Sequence, residues 1–219
     1  MFDGTLVKPP ADVSTIRLQF LSTQGLVAAM LSVAAQGGQH TAAVSADGSF
    51  QVTGLAPGQY VVNAAWPDMR NADGSAGWWL SEVRVGTSPQ GDRPLALEPQ
   101  QHLGDVTLTF RDRIGGIEGV LTDPSGQPAP GYFVLAFSTD RAAWSPASRR
   151  ALPPVRPGTD GRFRISGLPP GEYHLAVVTA AGEADHVDPS FLDVLLQSAV
   201  RIAIAADETV RQDLRIAGR

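Results

Sequence analysis

At 219 residues the chain is long enough for one large domain or for two of about 100 to 110 residues. A 43% hydrophobic and 18% charged composition, with no apolar run near the roughly 20 residues of a membrane span, predicts a globular protein that does not insert into a bilayer. The net charge of -5 removes the basic field that nucleic-acid phosphates attract, and zero cysteines exclude disulfides, thiolate metal sites and a cysteine nucleophile.

The opening "MFDGTLVKPP" has neither a positive n-region nor an apolar h-region, so it does not read as a signal peptide. "FDGTLV" already reads as a strand, and the expectation is a segment of a longer exported chain. Strands are predicted at 3–7, 15–21 and 26–34. In "DGSFQVTGLAPGQYVVNAAW", residues 47–66, Asp47-Gly48 makes a tight turn, and Phe50 and Val52 alternate with polar neighbours at period two. "GLAPG" interrupts the ladder, because proline has no amide to donate, and Tyr60, Val62 and Ala64 resume it. Further strands are predicted at 78–85 and 103–110, and a domain boundary near "RDRIGG", residues 111–116, divides the chain into 1–112 and 113–219.

The second half is read as strands at 116–122 and 131–137, then a long surface loop at 138–159, where Pro, Ser and Arg are too frequent for a strand. "DGRFRISGLPPGEYHLAVVT", residues 160–179, repeats the strand, turn and strand of 47–66. In "DPSFLDVLLQSA" Asp188 suits a helix cap, Pro189 the first helical position, and Phe191, Leu192, Leu195 and Leu196 one apolar face, which predicts a short helix. Strands at 200–205 and 209–216 close the chain. Short strands at this spacing predict an all-β protein of two tandem Ig-like or prealbumin-like sandwiches, the second bearing a short helix.

The copies agree at Asp47/Asp160, Gly48/Gly161, Phe50/Phe163, Gly54/Gly167, Leu55/Leu168, Pro57/Pro170, Gly58/Gly171 and Tyr60/Tyr173, and "FDGTLV" at 2–7 matches "IEGVLT" at 117–122. These lines resemble the carboxypeptidase regulatory-like domains, within the wider group of transthyretin-like and Cna-B-type sandwiches, in two copies. The resemblance implies an extracytoplasmic, non-catalytic accessory or spacer part of a larger bacterial protein. Its partners would be other domains of the parent chain or cell-envelope proteins. The residues explain the motif by themselves as well: Phe50, Leu55, Tyr60, Phe163, Leu168 and Tyr173 as core, and the glycines as bends. Some Cna-B-type relatives carry an isopeptide bond between lysine and asparagine or aspartate. Here Lys8 is the one lysine, beside Asn63 and Asn71, so the second half has no lysine for it and the bond is not expected.

No catalytic, cofactor-binding or metal site is predicted. His40, His102, His174 and His186 have no zinc spacing, and His174 is expected to be an exposed strand residue. Glu183, Asp185, His186 and Asp188 offer hard ligands without an EF-hand pattern, and read as an acidic loop with a helix cap. No nucleophile elbow is present. The binding candidates are aromatic and cationic. Among Trp66, Trp78, Trp79 and Trp144, one of the adjacent Trp78 and Trp79 must turn outward on a strand, and Trp144 stands near Arg141, Arg149 and Arg150. A carbohydrate-binding module using Trp78, Trp79, Trp144, Arg149 and Arg150 on a polysaccharide is the alternative to a spacer and interaction module.

Overall fold

The computed structural model describes all residues except 8–12, 24–38, 66–77, 91–92, 114, 147, 181, 183–184 and 217–219. The strand expected at 26–34, together with Lys8, Trp66, Asn71 and Glu183, lies outside the described residues. The protein is all-β with a short helix. It divides into two compact units, Met1–Arg113 and Ile114–Arg219.

In the first unit β1 (Phe2–Val7), β4 (Ser49–Val52), β6 (Trp79–Val85), β7 (Ser88–Pro89) and β9 (Leu103–Arg111) form one sheet in the order β4-β1-β9-β6-β7. The second sheet is β3 (Gln39–Ala43), β2 (Arg17–Ser22), β5 (Gly58–Ala65) and β8 (Leu95–Leu97), in that order. Period-two alternation buries Leu18 and Phe20 of β2, Tyr60 and Val62 of β5, and Val106, Leu108 and Phe110 of β9 in one core. Phe2 stacks on Phe20 at 5.4 Å between ring centroids and meets Tyr60 edge-on at 6.1 Å, which ties the two sheets together. β3, β7 and β8 were not foreseen. β7 and β8 have two and three residues, and β3, "QHTAA", has no large apolar side chain to mark a period; pairing with longer neighbours holds them.

In the second unit β10 (Gly115–Thr122) lies between β12 (Arg162–Leu168) and the collinear pieces β15 (Thr209–Arg211) and β16 (Leu214–Arg215). The facing sheet is β11 (Phe133–Ser138), β13 (Gly171–Val178) and β14 (Val200–Ile204). The single strand expected at 209–216 is interrupted where the Asp213 carboxylate, in place of a backbone carbonyl, accepts the amide of Val120 at 2.9 Å. Helix α1 (Pro189–Leu195) begins as expected: the Asp188 side chain caps the Ser190 amide and proline follows it.

The segment 138–159 is not simply a surface loop. Asp140 caps a 3-10 turn at Arg141–Ala143, and Val155 bridges to Val134. Ala143, Trp144 and Ser148 are buried. The reason is a second apolar layer on the outer face of β11 and β13, where Leu135, Phe137 and Ala176 pack with Trp144 and with Leu192 of α1. β11 is thus covered on both faces.

Each unit closes in the same way. β1 pairs antiparallel with β4 and parallel with β9, while β10 pairs antiparallel with β12 and parallel with β15 and β16. Gly4 and Gly119 sit at matching points of these crossings, where a Cβ would overlap the carbonyl oxygen of Val106 or of Gln212.

Candidate functional site

The repeated sentence builds a corner. After β4 and within the end of β12 the backbone turns at Gly54 (φ +75°) and Gly167 (φ +96°), a region open to glycine at little steric cost. The chain then runs through proline into β5 or β13. There the Tyr60 hydroxyl donates to the carbonyl of Ala56 at 2.8 Å, and the Tyr173 hydroxyl to that of Pro169 at 2.6 Å. Both rings are buried. Each tyrosine therefore fills the core and fastens the turn four residues upstream, a tyrosine corner of the kind that locks strand crossings in sandwiches. The spacing in "GLAPGQY" and "GLPPGEY" sets that bond, a detail missed when the tyrosines were read as core alone. Asp47, Asp123 and Asp160 fasten the preceding turns by accepting backbone amides two residues on. Hydrogen bonds from the Ser49 and Ser125 hydroxyls first, and from backbone amides after them, hold the Asp47 and Asp123 carboxyls below their ordinary range.

The aromatic candidates pack against the protein and do not lie flat on its surface. Trp79 is 8% exposed, and its indole N–H donates to the Arg113 carbonyl at 2.5 Å. Trp78 is half-buried against the first core, so neither indole of the pair stands free. Trp144 is 7% exposed: it donates to the Ser138 carbonyl at 2.7 Å, meets Phe137 edge-on at 5.7 Å, and lies under the Arg141 guanidinium at 5.1 Å. Arg141 in turn pairs with Asp193 of α1 at 2.6 Å, not with Asp140 or Asp160. The physical reason is the second apolar layer, which takes Trp144 as packing.

The arginines divide similarly. Arg150 donates to the Pro170 carbonyl at 2.8 Å and to the Tyr173 hydroxyl at 3.0 Å, with its guanidinium 5.8 Å from the tyrosine ring, so it clamps the second corner. Arg149 is half-buried. Within the second unit the structure thus joins Arg150 to the corner and Trp144 to the α1 layer.

The titratable candidates are scattered. His102 pairs with Asp3 at 2.6 Å on the surface of the first unit, and the His40 ring lies 6.5 Å from that of Tyr60. Asp185 accepts the Gly182 amide, His186 sits in the 3-10 turn Asp185–Val187, and Asp188 caps α1. Among the described residues no three His, Asp or Glu side chains gather as metal ligands, and no helix is long and apolar enough to cross a membrane.

His174 is half-buried rather than exposed, because the outer face of β13 carries the α1 layer. Its ring lies 5.3 Å from that of Phe137, and Nδ1 has no hydrogen-bond partner among the described residues. Burial first, and the positive charge of Arg201 on the paired strand second, hold its pKa below the ordinary 6.5. The unfolded chain therefore takes up the proton first as pH falls, and folding stability is lost on going below about pH 6.5. Thermal midpoints from pH 8 to 5.5 should show this decline, and His174→Gln should flatten it. An equal slope in both proteins would remove His174 as its source.

Comparison with known proteins gives no matching family model and no matching curated protein. Among solved structures the chain is similar to a minor pilin of Streptococcus agalactiae at 12% identity, covering 100% of this chain and 99% of that one, with a TM-score of 0.37. Others are the TIE protein of Bacillus anthracis (11% identity, 98% and 33% coverage, TM-score 0.35) and the major pilin subunit BcpA of Bacillus cereus (10%, 97% and 66%, 0.33). The chain spans about one third of the length of the Bacillus anthracis protein. At these values the likenesses carry no functional argument.

Proposed function

We propose that the chain is a non-catalytic spacer and protein-interaction segment of a larger bacterial cell-envelope or secreted protein, built from two copies of a carboxypeptidase regulatory-like sandwich. The observation that carries this reading is the parallel pairing of first and last strands, β1 with β9 and β10 with β15 and β16. Parallel neighbours place the entry of each unit at one end of its sheet and the exit at the other. A pull on the ends then loads the hydrogen bonds between those strands side by side in shear, so many must break together. The repeated corners support the same reading, since nearly every motif residue is spent on rigidity. The partners would be other domains of the parent protein or neighbours in the envelope.

The test is mechanical. Pulled by its two ends, the full chain should give two separate rupture events, each releasing roughly 35 nm of chain, from about 100 to 110 residues at up to 3.6 Å apiece. Smooth extension with no rupture peak would sink the spacer reading.

A further inference from the structure

The two units differ at one sheet edge. In the first, the segment between β5 and β8 supplies β6, which runs antiparallel along β9 with Val83 opposite Leu108 and Leu80 opposite Phe110. Both Leu80 and Val83 are buried in the core. In the second unit the corresponding segment, between β13 and β14, forms α1 and packs on the outer layer instead. The β15 and β16 line therefore pairs with β10 on one side and, among the described residues, with no strand on the other. The matching crossings of Gly4 over Val106 and Gly119 over Gln212 make Leu214 the counterpart of Leu108 and Ile216 that of Phe110.

Beside this free edge lies a groove of about 580 Å³ walled by Tyr132, Leu175, Val177, Val200, Leu214 and Ile216. By the shared register it is the place that Leu80 and Val83 fill in the first unit. The amide of Ile216 donates inward, to Thr122 at 2.9 Å. The alternation of a parallel ladder then turns the amide and carbonyl of Arg215 in β16 toward the free edge, while the Asp213 carbonyl is taken by the Gln212 side chain at 2.9 Å. Apolar side chains form one wall of the groove, and Thr179, Ser198, Asp213 and Arg215 give it a polar rim. An edge amide beside such a slot is what an added strand requires: ladder bonds from its backbone and burial of every second side chain.

We propose that the β15 and β16 edge of the second unit receives an extended strand from another protein chain, running antiparallel to β16, with apolar residues at alternate positions entering the groove. The first unit's own β6 is the pattern for it. This deepens the interaction half of the proposed role and rests on it, while the spacer role is tested separately by force.

A labelled synthetic peptide of residues 78–90, "WWLSEVRVGTSPQ", is the probe, titrated into the full chain and followed by fluorescence anisotropy. Saturable binding is expected, with the amide of Arg215 protected from hydrogen exchange. Arg215→Pro deletes a donor aimed at the free edge and leaves the Ile216 to Thr122 bond intact, and Val200→Glu puts a carboxylate into the groove from a site already 39% exposed. Each should weaken binding at least tenfold while the thermal midpoint stays near that of the parent protein. No saturable binding by the folded parent chain, or equal affinity in all three proteins, would overturn the site. Self-association lost in the same two variants would overturn the foreign donor in favour of a second copy of this chain. A blank titration beside two intact rupture peaks would remove the strand site and leave the spacer reading in place.

Discussion

Tyr173→Ala is expected to lower the stability of the second unit by roughly 3 to 5 kcal/mol, the range for removing a buried aromatic ring. The ring is fully buried, and its hydroxyl holds the Pro169 carbonyl and accepts from Arg150. Tyr173→Phe keeps the ring and loses the hydroxyl, which should cost about 1 to 3 kcal/mol because buried partners are left unsatisfied. Tyr60→Phe, which breaks the single bond to Ala56, should cost less than Tyr173→Phe. Urea denaturation followed by tryptophan fluorescence measures all three. A Tyr173→Ala midpoint within the ±0.5 kcal/mol of a bland surface change would show that the corner is decoration.

Gly119→Ala should be comparably damaging for a different reason. The new methyl group meets a backbone carbonyl, that of Gln212, which cannot rotate aside as a side chain would. Relief requires the last strand to move away from β10, so the expected loss is about 3 kcal/mol or more, at or beyond the upper end of overpacking. Gly4→Ala should do the same to the first unit through Val106. Gly131→Ala, with nothing within 4 Å of the added carbon, is the neutral control. Faster hydrogen exchange of the Gln212 and Val120 amides, which bond across β10 and the last strand, in Gly119→Ala, with Gly131→Ala unchanged, would locate the damage at the crossing. Equal stability of the two variants would mean that the first and last strands are not closely paired there.

The parts of the fold that sequence revealed are those governed by local rules. Alternation in "FQV" and "YVV", turns at Asp-Gly, and the Asp188-Pro189 helix start each need only a few adjacent residues. The tyrosine bonds were hidden although their spacing is plain in the sequence, because a tyrosine in an apolar alternation looks like core whether or not its hydroxyl has a partner. The packing of Trp144 and Arg150 was hidden for the converse reason. Polar, proline-rich surroundings signal a loop, and nothing local tells that α1 and the outer face of β11 will close over it. Likewise the β16 edge, which has no strand beside it among the described residues, is invisible in the chain. It exists only because the segment after β13 became a helix where its counterpart after β5 became a strand.

The pairing of opening and closing strands also sets a schedule for biogenesis. Val120 and Asp213, joined across that pairing in the second unit, are 93 residues apart in the chain. Neither β10 nor β1 can acquire its parallel neighbour until the end of its own unit has emerged from the ribosome, and such distant contacts form slowly. A nascent copy therefore lacks its closing ladder until almost the last residue of its unit arrives.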